Sequence, residues 1–189
     1  MTARPEIRIA NPAWVEDVID AAAIYPDDAS RMRVAIRLAH DNVLHETGGP
    51  FGAAVFESAS GRLVGVGVNL VVPLDNCALH AEVVAFMMAQ TRVGSYTLAA
   101  PGMADHALYT SCEPCAMCLG ATQWSGVKRV VFAATREDAS ELFDEGPVFP
   151  ASYDYLEARG IRFTGGILRA EARATLELYR DRQGERYNG

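Results

Sequence analysis

The stretch Thr110-Ser-Cys-Glu-Pro-Cys-Ala-Met-Cys-Leu-Gly120 decides how this chain is interpreted. Its three cysteines, Cys112, Cys115 and Cys118, are spaced three residues apart, and Pro114 stands before the middle one. A short apolar run typical of a strand precedes the stretch, and the residues that follow it contain few helix breakers. We therefore predict that Cys115 and Cys118 open a helix, with Pro114 at or beside its first position, where the missing N–H costs nothing.

Cys115 and Cys118 form one half of a predicted metal site, because side chains three residues apart on a first helical turn project to the same side. The unpaired N–H groups and the dipole at a helix start favour thiolate over thiol. His80, in Leu79-His-Ala-Glu-Val83, can supply a third ligand. Three protein ligands leave a zinc ion one open position for water, which is the arrangement of catalytic sites.

Glu82 follows His80 by two residues and is not needed for coordination. His-x-Glu followed by Pro-Cys-x-x-Cys is the signature of zinc deaminases. In that chemistry the zinc ion (Zn2+) lowers the pKa of its bound water, so that hydroxide is available near pH 7. Glu82 is expected to take the proton of this water, pass it to a ring nitrogen of the substrate, and then protonate the amine so that ammonia leaves.

Cys112 offers an alternative, because Cys112-x-x-Cys115 also has the spacing of a metal-ligand pair. With Cys112 as a fourth ligand, the site would be a closed structural zinc site. Structural sites seldom pair a single His-x-Glu with cysteines in this way. We therefore expect Cys112 to be a small buried side chain at the end of the strand, outside the ligand set.

Composition narrows the class of protein. The chain has 189 residues, 50% of them hydrophobic and 22% charged, which suits one globular domain with or without an appendage. The formal charge of −7, without a block of Lys or Arg, disfavours a nucleic-acid partner. No apolar stretch approaches membrane-spanning length, so we expect no membrane partner. Three clustered cysteines suit a metal site in a reducing compartment, and we expect a cytoplasmic protein.

The hydrophobic periodicity predicts the element order ααββαβαβ(α)αβα. Its first members are an arm and a helix at residues 13–24, a helix from Asp27 or Asp28 to about His45, and a hairpin of strands 51–57 and 63–72. The expected fold is α/β, a three-layer α/β/α sandwich around a mixed five-stranded sheet. We expect an N-terminal arm and helix over residues 1–26 and a deaminase domain with the C-terminal tail over 27–189.

Three segments carry a resemblance to a known family. They are Gly48-Gly-Pro-Phe-Gly-Ala-Ala-Val-Phe56, Thr110–Ala121 with Trp124 shortly after, and Leu142-Phe-Asp-Glu-Gly-Pro147. Through them the chain resembles the cytidine deaminase-like superfamily, specifically its guanine deaminase branch, over roughly residues 30–189. The resemblance implies the cytidine deaminase-like fold, one zinc ion per chain, and hydrolytic deamination of a free aminated heterocycle, guanine to xanthine plus ammonia. A triazine such as ammeline, or an aminated nucleoside, is the nearest rival substrate.

The chain departs from the family pattern in two places. Many relatives have proline where this chain has Ala116, which should matter little on a first helical turn. The acidic segment of relatives usually reads Gly-Phe-Asp, whereas here Leu142 precedes Phe143 and the spacing is one residue shorter. This second departure bears on the register of Asp144 and Glu145, and with it on substrate choice.

Substrate contacts follow mainly from the resemblance. Asn69 carries a donor and an acceptor, enough to bind a purine carbonyl and ring N–H, and a turn residue is the alternative. Phe51 and Trp124 are candidates to sandwich a planar heterocycle, with plain core packing as the alternative. The backbone N–H of Ala81, at a helix start, is a candidate for the substrate carbonyl.

An acidic pair and the C-terminal tail complete the candidate site. A second carboxylate from Asp144 or Glu145 would bind the N–H edge of guanine and shuttle protons beside Glu82, whereas the alternative is a solvated loop. We prefer Glu145, which precedes Gly146-Pro147, where the loop must turn. In homodimers of this family the tail commonly reaches the partner's active site as a lid, which makes Tyr187 a candidate contact; a frayed terminus is the alternative.

Two other classes of function compete with deamination of a free ring. A deaminase of tRNA adenosine shares the zinc motifs but predicts a basic surface, which the charge of −7 and the acidic Glu141–Glu145 segment argue against. A non-catalytic zinc module would have no use for Glu82 beside an open zinc position.

Overall fold

A computed structural model of the chain describes residues 6–144 and 146–186. Its helices are α1 (Trp14–Val18), α2 (Asp28–Leu44), α3 (Ala81–Val93), α4 (Ala116–Ser125), α5 (Arg136–Ala139), α6 (Pro150–Ala158) and α7 (Arg169–Asp181). Its strands are β1 (Gly52–Glu57), β2 (Leu63–Val68), β3 (His106–Cys112), β4 (Arg129–Ala134) and β5 (Arg162–Thr164). Within these ranges, every helix is too short or too polar to cross a membrane. The element order is the predicted one.

The five strands form one mixed sheet in the order β2-β1-β3-β4-β5. Strand β1 runs antiparallel to both of its neighbours, β2 and β3, whereas β3, β4 and β5 run parallel. The parallel strands are the ones joined through helices, as right-handed crossovers require. The sandwich around a mixed five-stranded sheet is therefore confirmed.

Two glycines show how closely helices pack on the two faces of the sheet. Gly52 pairs with Val68 and Gly67 pairs with Ala53, so the two glycines point to opposite faces. A Cβ at Gly52 would lie 2.5 Å from the backbone nitrogen of Ala39 in α2, and a Cβ at Gly67 would lie 2.3 Å from a carbonyl oxygen in α3. Helices α2 and α3 therefore cover opposite faces of the hairpin, and α7 packs beside α2.

The start of α2 follows its sequence signal. The side chain of Asp27 accepts a hydrogen bond of 2.7 Å from the backbone N–H of Ser30, and the two residues form a capping box. Asp28, the first helical residue, then turns inward and binds Arg129 of β4 through two bonds of 2.7 Å. The Arg129 guanidinium lowers the pKa of Asp28, so this carboxylate fastens α2 to the sheet.

The N-terminal helix is shorter than predicted. It ends at Val18, and Ile19 is extended with φ −114° and ψ 116°. The side chain of Asp20 accepts hydrogen bonds from the backbone N–H groups of Ala22 and Ala23, at 2.9 and 3.1 Å. Because a short carboxylate side chain competes with helical bonding in this way, a turn replaces the remainder of the predicted helix.

Candidate metal centre and active site

Two helices begin at the candidate site. Strand β3 ends at Cys112, and α4 begins at Ala116 with Cys115 as its N-cap. Pro114 precedes the N-cap, so it stands just before the helix and leaves the thiols of Cys115 and Cys118 on its first turn. His80 is the N-cap of α3. The partial positive charges of both helix starts are therefore directed at the same group of side chains.

His80, Cys115 and Cys118 have the geometry of a zinc site. Their ligand atoms all lie within 4.8 Å of one another, and all three residues are buried. The Nδ1 atom of His80 lies 3.6 Å from the sulfur of Cys115 and 3.7 Å from that of Cys118. Tetrahedral zinc, with Zn–S near 2.3 Å and Zn–N near 2.05 Å, separates sulfur from nitrogen by about 3.6 Å. The three donors therefore fit zinc and leave a fourth coordination position for a non-protein ligand.

The two thiols are electrostatically coupled. The hydrogen bond from the Cys118 thiol, supported by His80, lowers the pKa of Cys115 to about 4. The same bond to Cys115, together with burial, raises the pKa of Cys118. A cation held by the two residues would favour the thiolate form of both.

Glu82 is the second residue of α3 and is buried beside this group, with 6% of its surface exposed. Burial, and then the negative charge of Cys115, raise the pKa of its carboxyl group above the usual range. It lies outside the cluster of metal donors in the described part of the chain. A carboxyl group that holds a proton more firmly than in water can both accept and donate within one catalytic cycle.

Comparison with known families decides the identity of this arrangement. Residues 26–134 match the cytidine and deoxycytidylate deaminase zinc-binding region. The chain belongs to this deaminase family. As a family member it is a zinc-dependent hydrolytic enzyme, in agreement with its His-x-Glu and Pro-Cys-x-x-Cys motifs.

Three individual relatives show which members of the family are similar to this chain. The guanine deaminase of Bacillus subtilis is 38% identical over 133 residues, which cover 70% of this chain and 81% of that protein. A solved structure of guanine deaminase from Nitrosomonas europaea is 39% identical and superposes with a TM-score of 0.88, over 93% of this chain and 97% of that chain. The tRNA-specific adenosine deaminase of Haemophilus influenzae is 30% identical over 169 residues, 88% of this chain and 91% of that protein.

Cys112 lies where the sequence predicts. It is the last residue of β3, it is buried, and its sulfur lies 3.5 Å from the carbonyl oxygen of Thr135 as a hydrogen-bond donor. It is not a member of the donor cluster formed by His80, Cys115 and Cys118. The prediction of a small buried side chain is confirmed, and the closed four-ligand alternative finds no support in this deaminase.

Asn69 follows the end of β2 and has 1% of its surface exposed. Its backbone N–H donates to the carbonyl of Phe51 at 3.0 Å, and its Oδ1 accepts from the backbone N–H of Val71 at 3.2 Å. This second bond turns the chain, which is why β2 ends at Val68 rather than at Val72. The Nδ2 atom is buried and has no acceptor within residues 6–144 and 146–186. A buried donor without a partner is costly, so it points to a ligand.

Phe51 and Trp124, the predicted aromatic pair, lie in different environments. Phe51 is buried in the core and packs against Phe143, with ring centroids 5.1 Å apart. Trp124 is 79% exposed near the far end of α4. It is nine residues beyond Cys115, which places it about 13 Å along the helix axis and on the opposite face. Because Trp124 is exposed and displaced from Cys115, while Phe51 packs in the core, the structure gives no support for a sandwich within a single chain.

The acidic segment is anchored through Phe143, which packs between Phe51 and Tyr179. Asp144 is exposed, and its Oδ1 accepts a hydrogen bond of 3.0 Å from the backbone N–H of Gly146, so it shapes the loop. Glu145 lies outside the described residues, as does Tyr187 of the tail.

Ala81 is the first residue of α3 and is fully buried. Its backbone N–H is one of the first-turn groups that have no acceptor within a helix. In sequence it lies between the predicted ligand His80 and Glu82, and its contact with a substrate stays a prediction.

Glu113 holds the cysteine loop through hydrogen bonds. Its Oε1 accepts a bond of 2.7 Å from the phenol of Tyr153, and its Oε2 accepts one of 3.2 Å from the backbone N–H of Arg136. The contribution of Tyr153 has no sequence signal, because this residue lies 40 positions away on α6. Asn42, buried in α2 and bonded to Asn69, is also without a local signal.

Proposed function

We propose that this chain is a guanine deaminase, which converts guanine and water to xanthine and ammonia with zinc as its metal. The observation that carries the proposal is the buried carboxyl group of Glu82 beside the three zinc donors His80, Cys115 and Cys118. The choice of guanine among aminated rings is supported by the similarity, at 38% and 39% identity, to two guanine deaminases.

The metal would be held by Nδ1 of His80 and by the thiolates of Cys115 and Cys118. When bound, zinc supplies Lewis acidity that makes a water molecule available for attack near neutral pH. Glu82 takes the proton from the attacking water and delivers it to a ring nitrogen beside the amine-bearing carbon. For the second transfer Glu82 takes the remaining proton of the added hydroxyl group and delivers it to the amine, which leaves as ammonia while the new carbonyl forms. Its raised pKa favours holding the proton between these transfers.

Asn69 is the proposed residue for orienting the purine. Its unpartnered group is the Nδ2 donor, so it suits an acceptor on the ring, such as the carbonyl oxygen or an unprotonated ring nitrogen. The backbone N–H of Ala81 supplies a second donor from the start of α3. Glu82 and these two donors together could fix a planar heterocycle in one orientation.

Glu145 is proposed as the second acid, with Asp144 as the alternative. Support comes from Phe143, which directly precedes the acidic pair and packs on Phe51, whose carbonyl accepts from the backbone N–H of Asn69. The acidic pair therefore follows a residue that packs beside the strand end that carries Asn69. Replacing Glu145 with Gln should lower turnover of guanine and leave zinc content unchanged; unchanged turnover would exclude this role.

A homodimer is proposed through the exposed face of α4 and α6. This face carries Met117, Trp124, Phe149 and Tyr155, which are 39, 79, 64 and 49% exposed, and the two helices border a groove of about 540 Å³. Aromatic residues and Met are enriched at protein interfaces. Helix α4 has no charged residue, so two copies that each carry −7 can approach here with little repulsion. Tyr187 of the partner's tail is the proposed lid contact.

Three further assignments remain proposals. A cytoplasmic location is supported by four free cysteines, three of them grouped at the metal site and strand end. A division at residues 26 and 27 agrees with the family match, which begins at residue 26. The N-terminal segment nevertheless shares the core of the main domain, since Val15 is buried there. The absence of a nucleic-acid partner is proposed from the charge of −7.

The deciding experiment measures ammonia release by purified zinc-loaded protein. The substrates are guanine, guanosine, adenine, cytosine, cytidine and ammeline. A tRNA anticodon stem that contains adenosine is a further substrate. Guanine should be turned over best, and the reaction should depend on Glu82. Turnover of the tRNA stem alone would replace the proposal with tRNA editing, the activity named for the 30% identical relative. Release from another free ring would keep the chemistry and change the substrate.

A further inference from the structure

We propose that Asn42 is a positioning residue for Asn69, and that the N-terminal segment fixes Asn42 through Thr47 and Trp14. The inference rests on the proposed function, because Asn69 is a substrate residue only if the chain binds a purine. Asn42 lies in α2, 27 residues before Asn69 in sequence, and has none of its surface exposed.

The side-chain amide of Asn42 forms hydrogen bonds with the two loops that border the site. Its Nδ2 atom donates to the carbonyl oxygen of Gly49 at 2.8 Å and to the carbonyl oxygen of Asn69 at 3.0 Å. The approach is so close that a Cβ on Gly48 would lie 2.0 Å from that same Asn69 oxygen. Asn42 therefore joins the loop before β1 to the strand end that presents Asn69.

Thr47 and Trp14, which lie outside α2, set the orientation of the Asn42 amide. The hydroxyl of Thr47 donates to Oδ1 of Asn42 at 2.7 Å, and the indole N–H of Trp14 donates to the same Thr47 hydroxyl at 3.0 Å. The Trp14 ring also stacks on His45, with centroids 5.1 Å apart and planes inclined by 10°. With Oδ1 occupied by a donor, the amide is held with its NH2 group facing Gly49 and Asn69.

Three of the polar groups of Asn69 are engaged in hydrogen bonds. Asn69 is held at its backbone N–H by Phe51, at its carbonyl by Asn42 and at its Oδ1 by Val71. The remaining polar group is the buried Nδ2, which lacks an acceptor in the described residues. A donor that is pre-oriented by three other hydrogen bonds can bind a ring acceptor without a further loss of side-chain freedom. The chain Trp14–Thr47–Asn42–Asn69 thus gives the N-terminal segment a role in substrate binding.

The test uses full-length zinc-loaded protein and two readouts: the Kd of 8-azaguanine by calorimetry, and KM and kcat for guanine. Thr47→Val removes the hydroxyl and keeps the shape of the side chain, so it should raise Kd and KM about tenfold with kcat nearly unchanged. Trp14→Phe keeps an aromatic ring on His45 and should shift both constants in the same direction by less. Thr47→Ser keeps the hydroxyl that Thr47→Val removes, so it should bind as tightly as wild type.

Two controls separate positioning from general loosening. Asn11→Ala removes a different anchor of the N-terminal segment, its 2.9 Å bond to the carbonyl of Val66 in β2, and should leave KM unchanged. In an Asn69→Ala background, Thr47→Val should have no further effect on KM, because the residue through which it acts is gone. Asn42→Asp is the most direct variant, and the Thr47 series decides the question if that protein does not fold.

Three results would overturn the inference: equal KM for Thr47→Val and wild type, equal increases for Thr47→Val and Asn11→Ala, or additive effects in the Asn69→Ala background. Failure of the proposed function is distinguishable, because wild type would then neither bind 8-azaguanine nor turn over guanine. That outcome would remove the inference together with the function on which it rests.

Discussion

The phenol of Tyr153 donates a hydrogen bond of 2.7 Å to Oε1 of Glu113, which lies two residues before Cys115. Burial, and then this bond to Glu113, raise the pKa of Tyr153, so the phenol stays protonated as a donor throughout the neutral range. Helix α6 therefore holds the loop that presents the metal donors. The relationship links the zinc site to an element that contributes no ligand.

Tyr153→Phe should weaken zinc binding without removing a donor, because Glu113 loses one of the bonds that hold it. The Kd for zinc should rise about tenfold, as measured by competition with a chelator. Tyr155→Phe is the matched control, since Tyr155 is exposed and its ring faces the guanidinium of Arg159 at 4.9 Å. An unchanged Kd in Tyr153→Phe would show that the loop is held by other contacts.

Cys115→Ala and Cys118→Ala should each abolish stoichiometric zinc binding, because two donors cannot replace the three that match a zinc site. Cys112→Ala should keep the metal, since its sulfur is engaged with the carbonyl of Thr135 outside the donor cluster. Zinc content by atomic absorption checks all three variants. Loss of zinc from Cys112→Ala alone would overturn the ligand assignment.

Glu82→Gln should lower kcat by roughly two to four orders of magnitude, because the amide cannot carry a proton from water to the ring and the amine. Zinc content should be unchanged, since Glu82 is outside the donor cluster. Ammonia release and metal analysis on the same sample provide both numbers. Glu171→Gln, on the exposed side of α7, controls for loss of one carboxylate. Full activity in Glu82→Gln would remove this residue from the mechanism.

Asp138 should contribute stability that depends on pH. Two bonds from Arg169, at 2.7 and 2.9 Å, lower the pKa of Asp138 to about 2. A carboxyl whose pKa is lower in the folded state than in the unfolded chain stabilises the fold above the unfolded pKa of about 4. This contribution is lost as pH falls from about 4 through about 2.

Asp138→Asn should therefore lower the free energy of unfolding by about 1–2 kcal/mol at pH 7. The difference from wild type should shrink as pH falls through the window from about 4 to about 2. Urea denaturation of both proteins at matched pH values measures it. Asp181→Asn is the control, because Asp181 is 67% exposed and pairs with the adjacent Arg180. A difference that is constant with pH would show that the ion pair is not its source.

Trp124→Asp should shift the proposed homodimer toward monomer, because it would bury a charge in the interface at the most exposed aromatic residue of the face on α4 and α6. Sedimentation velocity over a range of concentrations measures the change. Tyr96→Asp is the matched control, since Tyr96 is 89% exposed on the loop after α3. A monomeric wild type would reject the dimer, and an unaffected dimer would place its interface elsewhere.

Local sequence signals were sufficient to predict the helices and strands and to select the candidate metal donors. The spacing of Cys115 and Cys118 on one helical turn, the cap at Asp27 and the hairpin of β1 and β2 each depend on residues that are near in sequence. Such contacts depend on backbone geometry that the sequence states directly. For the same reason the order of helices and strands could be predicted throughout.

The sequence predicted less well the ends of elements and the contacts made between distant residues. The helical stripe at residues 13–24 extended too far, because Asp20 forms a turn and Ile24 pairs with Arg62. Trp124 was a reasonable aromatic candidate by sequence, but its place on α4 faces away from Cys115. The side chains that support the site, Tyr153 and Asn42, lie 40 and 27 residues from their partners.

The sequence by itself determined the chemistry: a pair of thiols, a histidine and a carboxyl group whose order and spacing indicate a zinc deaminase. Only the tertiary structure decided that His80 lies 3.6 Å from a sulfur 35 residues away, that Cys112 is turned toward Thr135, and that the Asn69 amide presents a donor. The physical reason is that reactivity resides in individual side chains, whereas orientation and burial arise from contacts between distant segments, which packing alone brings together.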